Sequence, residues 1–435
     1  MDGKTLSIDL EAQPFTREGF LKFRQLFKAL VVAVVVLSIL FVVCAGMLIW
    51  AGTLATENHD DIDKLKMGGT GGVVSGDSDA GTTKEFKLTS SIPEKADTSS
   101  ISPVFQGTGY WSLRGNLPFK RSDHHVAAVG DLVYIVGGND EAGEATDDIT
   151  IFDPLLNSFS KGPKMPVTLT RFVQVYVPDG DAGKLYLIGG MEVADADASG
   201  KVHILDIKTK KWSKGPEIIT PRSDFCGAYV DGKIYIAGGW PTGFSETLGS
   251  VEVLDLEKGS EWEEGVELPT PRGDCKAAAL DGRFVVVGGY YDEENQWRSD
   301  SFRDEVEAFN PESEEWEALA PLPNARGDKA LISLPGDRLL AIGGETHSRG
   351  ERTQVATHFV EEYIGEHDVW IEKAPLLFSR FRTAAAHVDG VVFLFGGHAI
   401  CVDGEEEGSV DCPETDEVQA FFDVDHPDVF LVDGN

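Results

Sequence analysis

From residue 110 onward, short apolar runs alternate with polar turns, and the same order returns at regular intervals. A unit opens with an alternating stretch such as FCGAYV (225–230) and turns at a glycine-containing pair, often Asp-Gly. It continues in a nearly unbroken apolar run such as KIYIAGG (233–239). Alternation marks a half-buried strand, Asp-Gly a tight hairpin, and a short continuous apolar run a strand covered on both faces. A polar loop of variable length follows. Then comes a third strand ending in an acid or Asn (VEVLDL, 251–256; VEAFNP, 306–311), and a fourth that starts at an aromatic residue. The pattern predicts four strands per unit and no helix.

The apolar second strand ends six times in a double glycine, whose first members are Gly137, Gly189, Gly238, Gly288, Gly343 and Gly396. The steps between them are 52, 49, 50, 55 and 53 residues, and a period near fifty is that of propeller blades. Arg121, Arg222, Arg272 and Arg380 each precede the first glycine by 16 residues, and Arg326 and Arg171 by 17 and 18. A Trp stands ten residues before the Arg in five units (Trp111, Trp212, Trp262, Trp316, Trp370), and Phe159 replaces it in the first complete one. These double glycines with their spaced Trp residues resemble the kelch-repeat family over roughly 110–425. The resemblance implies an all-β, six-bladed β-propeller. The segment YWSLRGNLPFKR (110–121) is a fourth strand without strands of its own, whereas the last unit lacks a fourth. The N-terminal strand should therefore complete the last blade and close the ring, leaving no free sheet edge. Truncation before Trp111 should be tolerated, and truncation after it should not.

A different pattern precedes the repeats. Residues 30–50, LVVAVVVLSILFVVCAGMLIW, carry no charge and are long enough to span a bilayer. Arg17, Lys22, Arg24 and Lys28 lie before this run and mostly acids after it, so the positive-inside rule places the N-terminus in the cytosol. A cleaved signal peptide fits less well, because its lead would be long and its apolar run exceeds the usual length. The expected organisation is a cytosolic tail (1–28), a transmembrane signal anchor (29–51), a flexible, disordered stalk rich in Gly, Ser, Thr and Asp (52–108), and the propeller (109–435). The propeller would then lie in the lumen of the secretory pathway or outside the cell, on a single-pass type II membrane protein. The chain contains no Asn-x-Ser/Thr sequon.

With 73 acidic and 38 basic residues the net charge is −35, which repels nucleic acid and suits basic partners, cations or neutral ligands. A double glycine can cradle phosphate only where a helix N-terminus follows. Here acidic loops follow, so close packing between blades explains the glycines better. Arg121, Arg171, Arg222, Arg272, Arg326 and Arg380 would form a ring. Four of them read Arg-Ser-Asp or Arg-Gly-Asp, so Asp123 and Asp224 (after Ser122 and Ser223) share a face with their Arg. Each pair either neutralises itself, ties blades together, or lines a polar mouth. In the kelch family the residues just after this Arg border the central cavity, which the resemblance carries to Ser122, Phe172, Ser223, Gly273, Gly327 and Phe381. The Arg-Gly-Asp triplets at 272 and 326 fall in repeat register on a strand rather than at a loop tip, against an adhesion motif.

Loops following the double glycines begin with Asn139, Met191, Trp240, Tyr290, Glu345 and His398 and emerge on one face, where a rigid scaffold would present a binding site. The expected function is a protein- or glycan-binding module. The alternative is a lumenal carbohydrate-active enzyme, because the kelch resemblance extends to sugar mutarotases and to copper oxidases resembling galactose oxidase. Of an oxidase set only Tyr290, Tyr291 and His398 lie near the expected mouth. A mutarotase needs only an acid/base group there, such as Glu345, His398 or His125. No cofactor is expected, apart from a weak calcium candidate: Asp195, Asp197, Ser199 and Asp206 have calcium-loop spacing around Gly200. Cys401 and Cys412 bracket one loop and would close it as a disulfide in an oxidising compartment. Cys226 and Cys275 fall four and three residues past their Arg, should point to opposite sheet faces, and are expected to stay buried free thiols.

Overall fold

A computed structural model describes residues 108–423 apart from 181, 194–196, 243–245, 292–300, 348–353, 400–401, 404–409 and 412–413. The tail, the apolar run and the stalk (1–107) lie outside the described residues. Among the described residues no helix is long and apolar enough to cross a membrane.

The chain enters through β1 (Tyr110–Asn116). Blade 1 is β2 (His125–Val129), β3 (Leu132–Val136), β4 (Ile149–Asp153) and β5 (Ser158–Lys161). Blade 2 is β6 (Val173–Asp179), β7 (Ala182–Ile188), β8 (Val202–Asp206) and β9 (Lys211–Lys214). Blade 3 follows as β10 (Cys226–Val230), β11 (Lys233–Ala237), β12 (Val251–Asp255) and β13 (Glu263–Glu264). Blade 4 is β14 (Lys276–Leu280), β15 (Arg283–Tyr290), β16 (Phe302–Asn310) and β17 (Glu315–Leu319). Blade 5 is β18 (Ala330–Leu334) and β19 (Arg338–Ile342), a two-stranded ribbon of β20 (Glu345–His347) and β21 (Gln354–Ala356), then β22 (Val360–Ile364) and β23 (Val369–Glu372). Blade 6 has β24 (Ala384–Val388) and β25 (Val391–Phe395), a small ribbon of β26 (Val402–Asp403) and β27 (Val410–Asp411), and β28 (Glu417–Phe422).

Blade 6 is ordered β24-β25-β28-β1, so the N-terminal strand supplies its outer edge as the repeat pattern requires. Tyr110 lies opposite Phe422 and Asn116 opposite Glu417, with a bulge between Leu113 and Gly115. Buried Lys373, at the end of blade 5, pairs with Asp423 (2.9 Å) just past β28 and with Glu362 (3.1 Å), fastening the same seam. First strands of successive blades neighbour one another around the axis, β2 beside β24 completing the circle.

Among the described residues six large apolar clusters form the core, one at each junction between blades, beside a small seventh of Trp240, Tyr290 and Phe302. This follows from the sequence pattern, because second strands such as LVYIV are apolar on both faces and must be covered from both sides. Each fourth-strand Trp reaches back across a junction and donates its indole N–H to a backbone carbonyl. Trp212 bonds Lys164 (2.8 Å), Trp262 Pro216 (3.0 Å), Trp316 Val266 (3.1 Å), Trp370 Ala320 (2.8 Å) and Trp111 Ala374 (2.9 Å). At the junction of blades 6 and 1, where Phe159 stands in for Trp, aromatic packing takes over. Phe152 contacts Phe159, Phe393 and Phe395 at centroid distances of 4.9–5.5 Å.

Cys226 and Cys275 do not remain free thiols. They form a disulfide between blades 3 and 4, with Cα atoms 5.6 Å apart. They do point to opposite sides of their own sheets. In a ring of blades, however, the leading face of one sheet packs on the trailing face of the next, so opposite faces of adjacent blades are the ones that meet. Cys44, Cys401 and Cys412 lie outside the described residues, and so does the pairing expected of the last two.

Candidate functional site

The double glycines build the junctions beside the axis. In all six pairs both residues have positive φ, and the N–H of the second donates to a carbonyl at the start of the next blade. Gly190 bonds Arg222 (2.9 Å), Gly239 Arg272 (2.9 Å), Gly289 Arg326 (3.1 Å), Gly344 Arg380 (2.9 Å) and Gly397 Arg121 (2.7 Å), and Gly138 bonds Leu169 (2.8 Å). A side chain at the first glycine would strike that same carbonyl, so the glycines are junction devices and not a phosphate cradle.

Arg121, Arg222, Arg272, Arg326 and Arg380 are fully buried and do not line the mouth. Each pairs with an acid at or just before the third strand of its own blade: Asp148 (2.8 Å), Glu252 (2.7 Å), Glu307 (2.5 Å), Glu361 (2.5 Å) and Glu417 (2.8 Å), respectively. The guanidinium groups of Arg222, Arg272, Arg326 and Arg380 also donate to the carbonyl of the first glycine in their blade, which the bend removes from the sheet ladder. Burial lowers the pKa of these arginines, and the paired acid opposes that shift without cancelling it. Both Arg-Gly-Asp triplets are thereby internal.

Arg171 belongs to another position. The bridges Ser122–Asn139, Thr170–Met191, Ser223–Trp240, Gly273–Tyr290, Gly327–Glu345 and Phe381–His398 set the true register. Thr170, not Phe172, therefore takes the cavity-bordering place in blade 2, and Leu169 the place of the buried Arg. The hairpin between β6 and β7 is longer than the others, and counting back the usual distance from Gly189 falls short.

One residue further on, Asp123, Arg171, Asp224, Asp274, Asp328 and Arg382 encircle the axis. All have φ between 45° and 52°, a left-handed conformation that Asp tolerates better than most residues. Backbone bonds link five of the six neighbours: Asp224 N–H to Arg171 (3.1 Å), Asp274 to Asp224 (2.9 Å), Asp328 to Asp274 (3.1 Å), Arg382 to Asp328 (2.9 Å) and Asp123 to Arg382 (3.1 Å). The mouth is thus a rigid ring of four acids and two arginines, above an axial cavity of about 130 Å³ whose lining includes His124, His125, Gln174 and Lys276.

Charge is distributed unevenly on the ring. Arg171 pairs with Asp224 (3.3 Å), and Arg382 lies between Asp328 (3.1 Å) and Asp123 (3.7 Å). Burial would raise the Asp123 pKa, but Arg382 and Arg171 outweigh it and hold the carboxyl below its usual range. Among the described residues no cation forms an ion pair with Asp274; burial, with Asp328 and Asp224 nearby, pushes it well up against the pull of Arg382. Glu345, buried beside Asp328, is pushed up to about 8. Glu414, which accepts the Ser122 hydroxyl (2.7 Å), is raised to about 7 by burial against that bond, with Asp123 and Asp140 adding repulsion. Burial, with Lys276 nearby, lowers His125 to about 3.

The other expected mouth residues divide. Asn139 bonds Asp123 (3.1 Å) and His398 stacks on Phe381 (5.1 Å) at the rim. Trp240 and Tyr290 are buried and pack with Phe302, and Ser122 and Ser223 lie beneath the surface. In the calcium candidate, Asp195 lies outside the described residues and Asp197 is exposed. The Ser199 hydroxyl accepts the Lys201 N–H (3.2 Å), and Asp206 accepts the N–H and hydroxyl of Thr209 (both 2.7 Å) in a turn. Ser199 and Asp206 stand at opposite ends of β8, a separation that belongs to a strand.

Asp274, Asp328, Arg382 and Glu414 were not singled out from sequence. A signal existed for the first three. They lie two residues after a buried Arg, in the same Arg-x-Asp or Arg-x-Arg pattern that marked Asp123 and Asp224.

The fold and its ring of left-handed residues define a six-bladed propeller closed by its own N-terminal strand. The family model for the KLHDC2/KLHL20/DRC7 Kelch-repeats domain matches residues 123–344. The chain belongs to the kelch-repeat family. Among similar proteins, bovine Kelch-like protein 36 (Bos taurus) is 25% identical over 293 residues, covering 66% of this chain and 38% of that protein. Human Kelch-like protein 33 (Homo sapiens) is 36% identical over 89 residues, 20% of this chain and 15% of that protein. Beta-scruin of Limulus polyphemus is 24% identical over 147 residues, 32% and 16% respectively. The chain thus spans well under half the length of these relatives.

Proposed function

We propose that this chain is a single-pass type II membrane protein whose kelch propeller, on the lumenal or extracellular side, binds a protein partner at the mouth face through a basic segment. A kelch propeller is consistent with a protein-interaction module. The observation that carries the basic partner is the clustering of acids at the mouth, Asp123, Asp224, Asp274 and Asp328 with Glu345 and Glu414 against Arg171 and Arg382, where an incoming cation draws the acids of raised pKa into their charged form. The ring is fixed by backbone bonds, so little reorganisation opposes binding. The net charge of −35 steers cationic segments toward it. The Cys226–Cys275 disulfide favours an oxidising compartment and so supports the non-cytosolic placement.

The test uses the full chain in detergent micelles against Lys/Arg-rich peptides, matched acidic peptides and a neutral glycan array. Selective binding of basic peptides, weakened by salt and by Asp123→Asn with Asp224→Asn, is the expected result. Binding indifferent to salt and to both substitutions, or confined to glycans, would overturn the reading. Protease digestion of the propeller in sealed microsomes without detergent would refute its lumenal placement.

A further inference from the structure

We propose that Asp274, Asp328 and Glu345 together hold a calcium ion at one side of the axial mouth, where blades 4 and 5 meet. One carboxylate oxygen from each of the three lies within 4.8 Å of the others. Calcium takes oxygen ligands at roughly 2.3–2.6 Å in flexible geometry, and this spacing lets one ion reach all three carboxylates. Magnesium demands near-ideal octahedral geometry and keeps several of its waters, which a buried corner of three carboxylates suits less well. The oxygen-only, hard donor set excludes metals that select nitrogen or sulfur.

Clustered acids alone are common. This cluster is distinguished by Glu345, which is 1% exposed and whose Oε2 has no hydrogen-bond partner among the described residues. A bare carboxylate oxygen buried among two further carboxyls is costly, and a bound cation removes that cost. Arg382 bonds Asp328 (3.1 Å) from one side, and among the described residues no cation forms an ion pair with Asp274 or Glu345.

The ligands are also held in place. Glu345 and Gly327 exchange backbone hydrogen bonds (2.9 and 3.1 Å), and the Asp328 N–H donates to the Asp274 carbonyl (3.1 Å). All three side chains therefore leave the backbone from fixed points, the condition for a site of defined size. The site is distinct from the segment 195–206, which lies in blade 2. It does not depend on the proposed partner, because neutral and basic probes play no part in its test.

The chelator-treated full chain in detergent micelles is titrated with calcium by calorimetry. In parallel, terbium is titrated and its luminescence read with excitation of the neighbouring Trp240 and Tyr290. One ion per chain is expected, with sensitised terbium emission that calcium displaces and magnesium displaces at least tenfold less well. Asp274→Asn and Glu345→Gln should each weaken binding at least tenfold, while Asp197→Asn leaves it unchanged. The two amides keep the shape and relieve repulsion, so the ion-free variants should melt no lower than the parent, which separates loss of the site from loss of the fold. No saturable calcium binding, equal affinity for magnesium, or binding untouched by both substitutions would each overturn the assignment. Weakening of calcium binding by Asp197→Asn alone would move the site to the blade 2 loop and equally overturn it.

Discussion

Replacing Gly343 with alanine isolates what a double glycine contributes to a blade junction. Gly343 has φ +60°, and a Cβ added there would lie 2.5 Å from the Arg380 carbonyl oxygen and 3.3 Å from Leu376 Cδ1. The left-handed conformation costs an alanine about 1–2 kcal/mol, partly offset by about 0.4–1 kcal/mol from a less flexible unfolded chain. The carbonyl cannot simply move aside, because it accepts the Gly344 N–H at 2.9 Å. Giving up that bond inside the junction costs about 1–3 kcal/mol, and crowding a packed interface about as much again. The sum, about 2–8 kcal/mol, is a large part of the total stability of an ordinary domain. Gly232 is the control: it has φ +87°, lies in the β10–β11 turn, and has nothing within 4 Å of an added Cβ. Alanine there should cost only about 1 kcal/mol, the conformational part. Urea unfolding followed by tryptophan fluorescence reads both variants. If Gly343→Ala falls within about 0.5 kcal/mol of Gly232→Ala, the contact with the neighbouring blade is not what requires the glycine.

Three further outcomes are expected. Cys226→Ala with Cys275→Ala should lower stability by about 2–4 kcal/mol under oxidising conditions and leave it unchanged under reduction, measured by thermal unfolding with and without reductant. Deleting residues 52–107 should leave the melting temperature of the propeller intact, whereas extending the deletion through Asn116 should abolish cooperative melting, because β28 loses its partner. Glu414 is neutral in the folded protein well above the usual range, so its contribution is full below its unfolded pKa and is lost as pH rises through about 7. Stability should therefore decline more steeply over that interval in the parent than in Glu414→Gln, and identical pH profiles would remove Glu414 from the account.

Blade number, strand order and closure were legible because they rest on features repeated six times, and a sixfold coincidence of Gly-Gly, Trp and apolar runs leaves one architecture. The buried arginines were misplaced because their partners are 27 to 37 residues away on the third strand. That pairing nonetheless left a trace: blade 2, which has Leu169 in place of the Arg, has His203 where blade 3 has Glu252. The disulfide was misjudged by reasoning within a sheet, where the deciding geometry lies between sheets. Glu345 was identified from its loop position. Its association with Asp274 and Asp328 depends on how closely blades 4 and 5 approach at the axis, a distance that repeat spacing does not encode.

The strand that closes the ring is also the first one reached from the N-terminal side, so tension transmitted along residues 1–107 enters the propeller at Thr108, whose carbonyl accepts the Ala374 N–H (3.1 Å), and passes directly to β1. Tyr110 lies opposite Phe422 at one end of an antiparallel ladder. A pull at that end, directed across the sheet, parts β1 from β28 one pair at a time, instead of shearing every bond together. The indole bond from Trp111 to Ala374 falls on the same residue as the Thr108 contact, so both hold this end of β1. What is a clasp for an isolated propeller becomes, in a tethered one, the mechanical fuse of the ring.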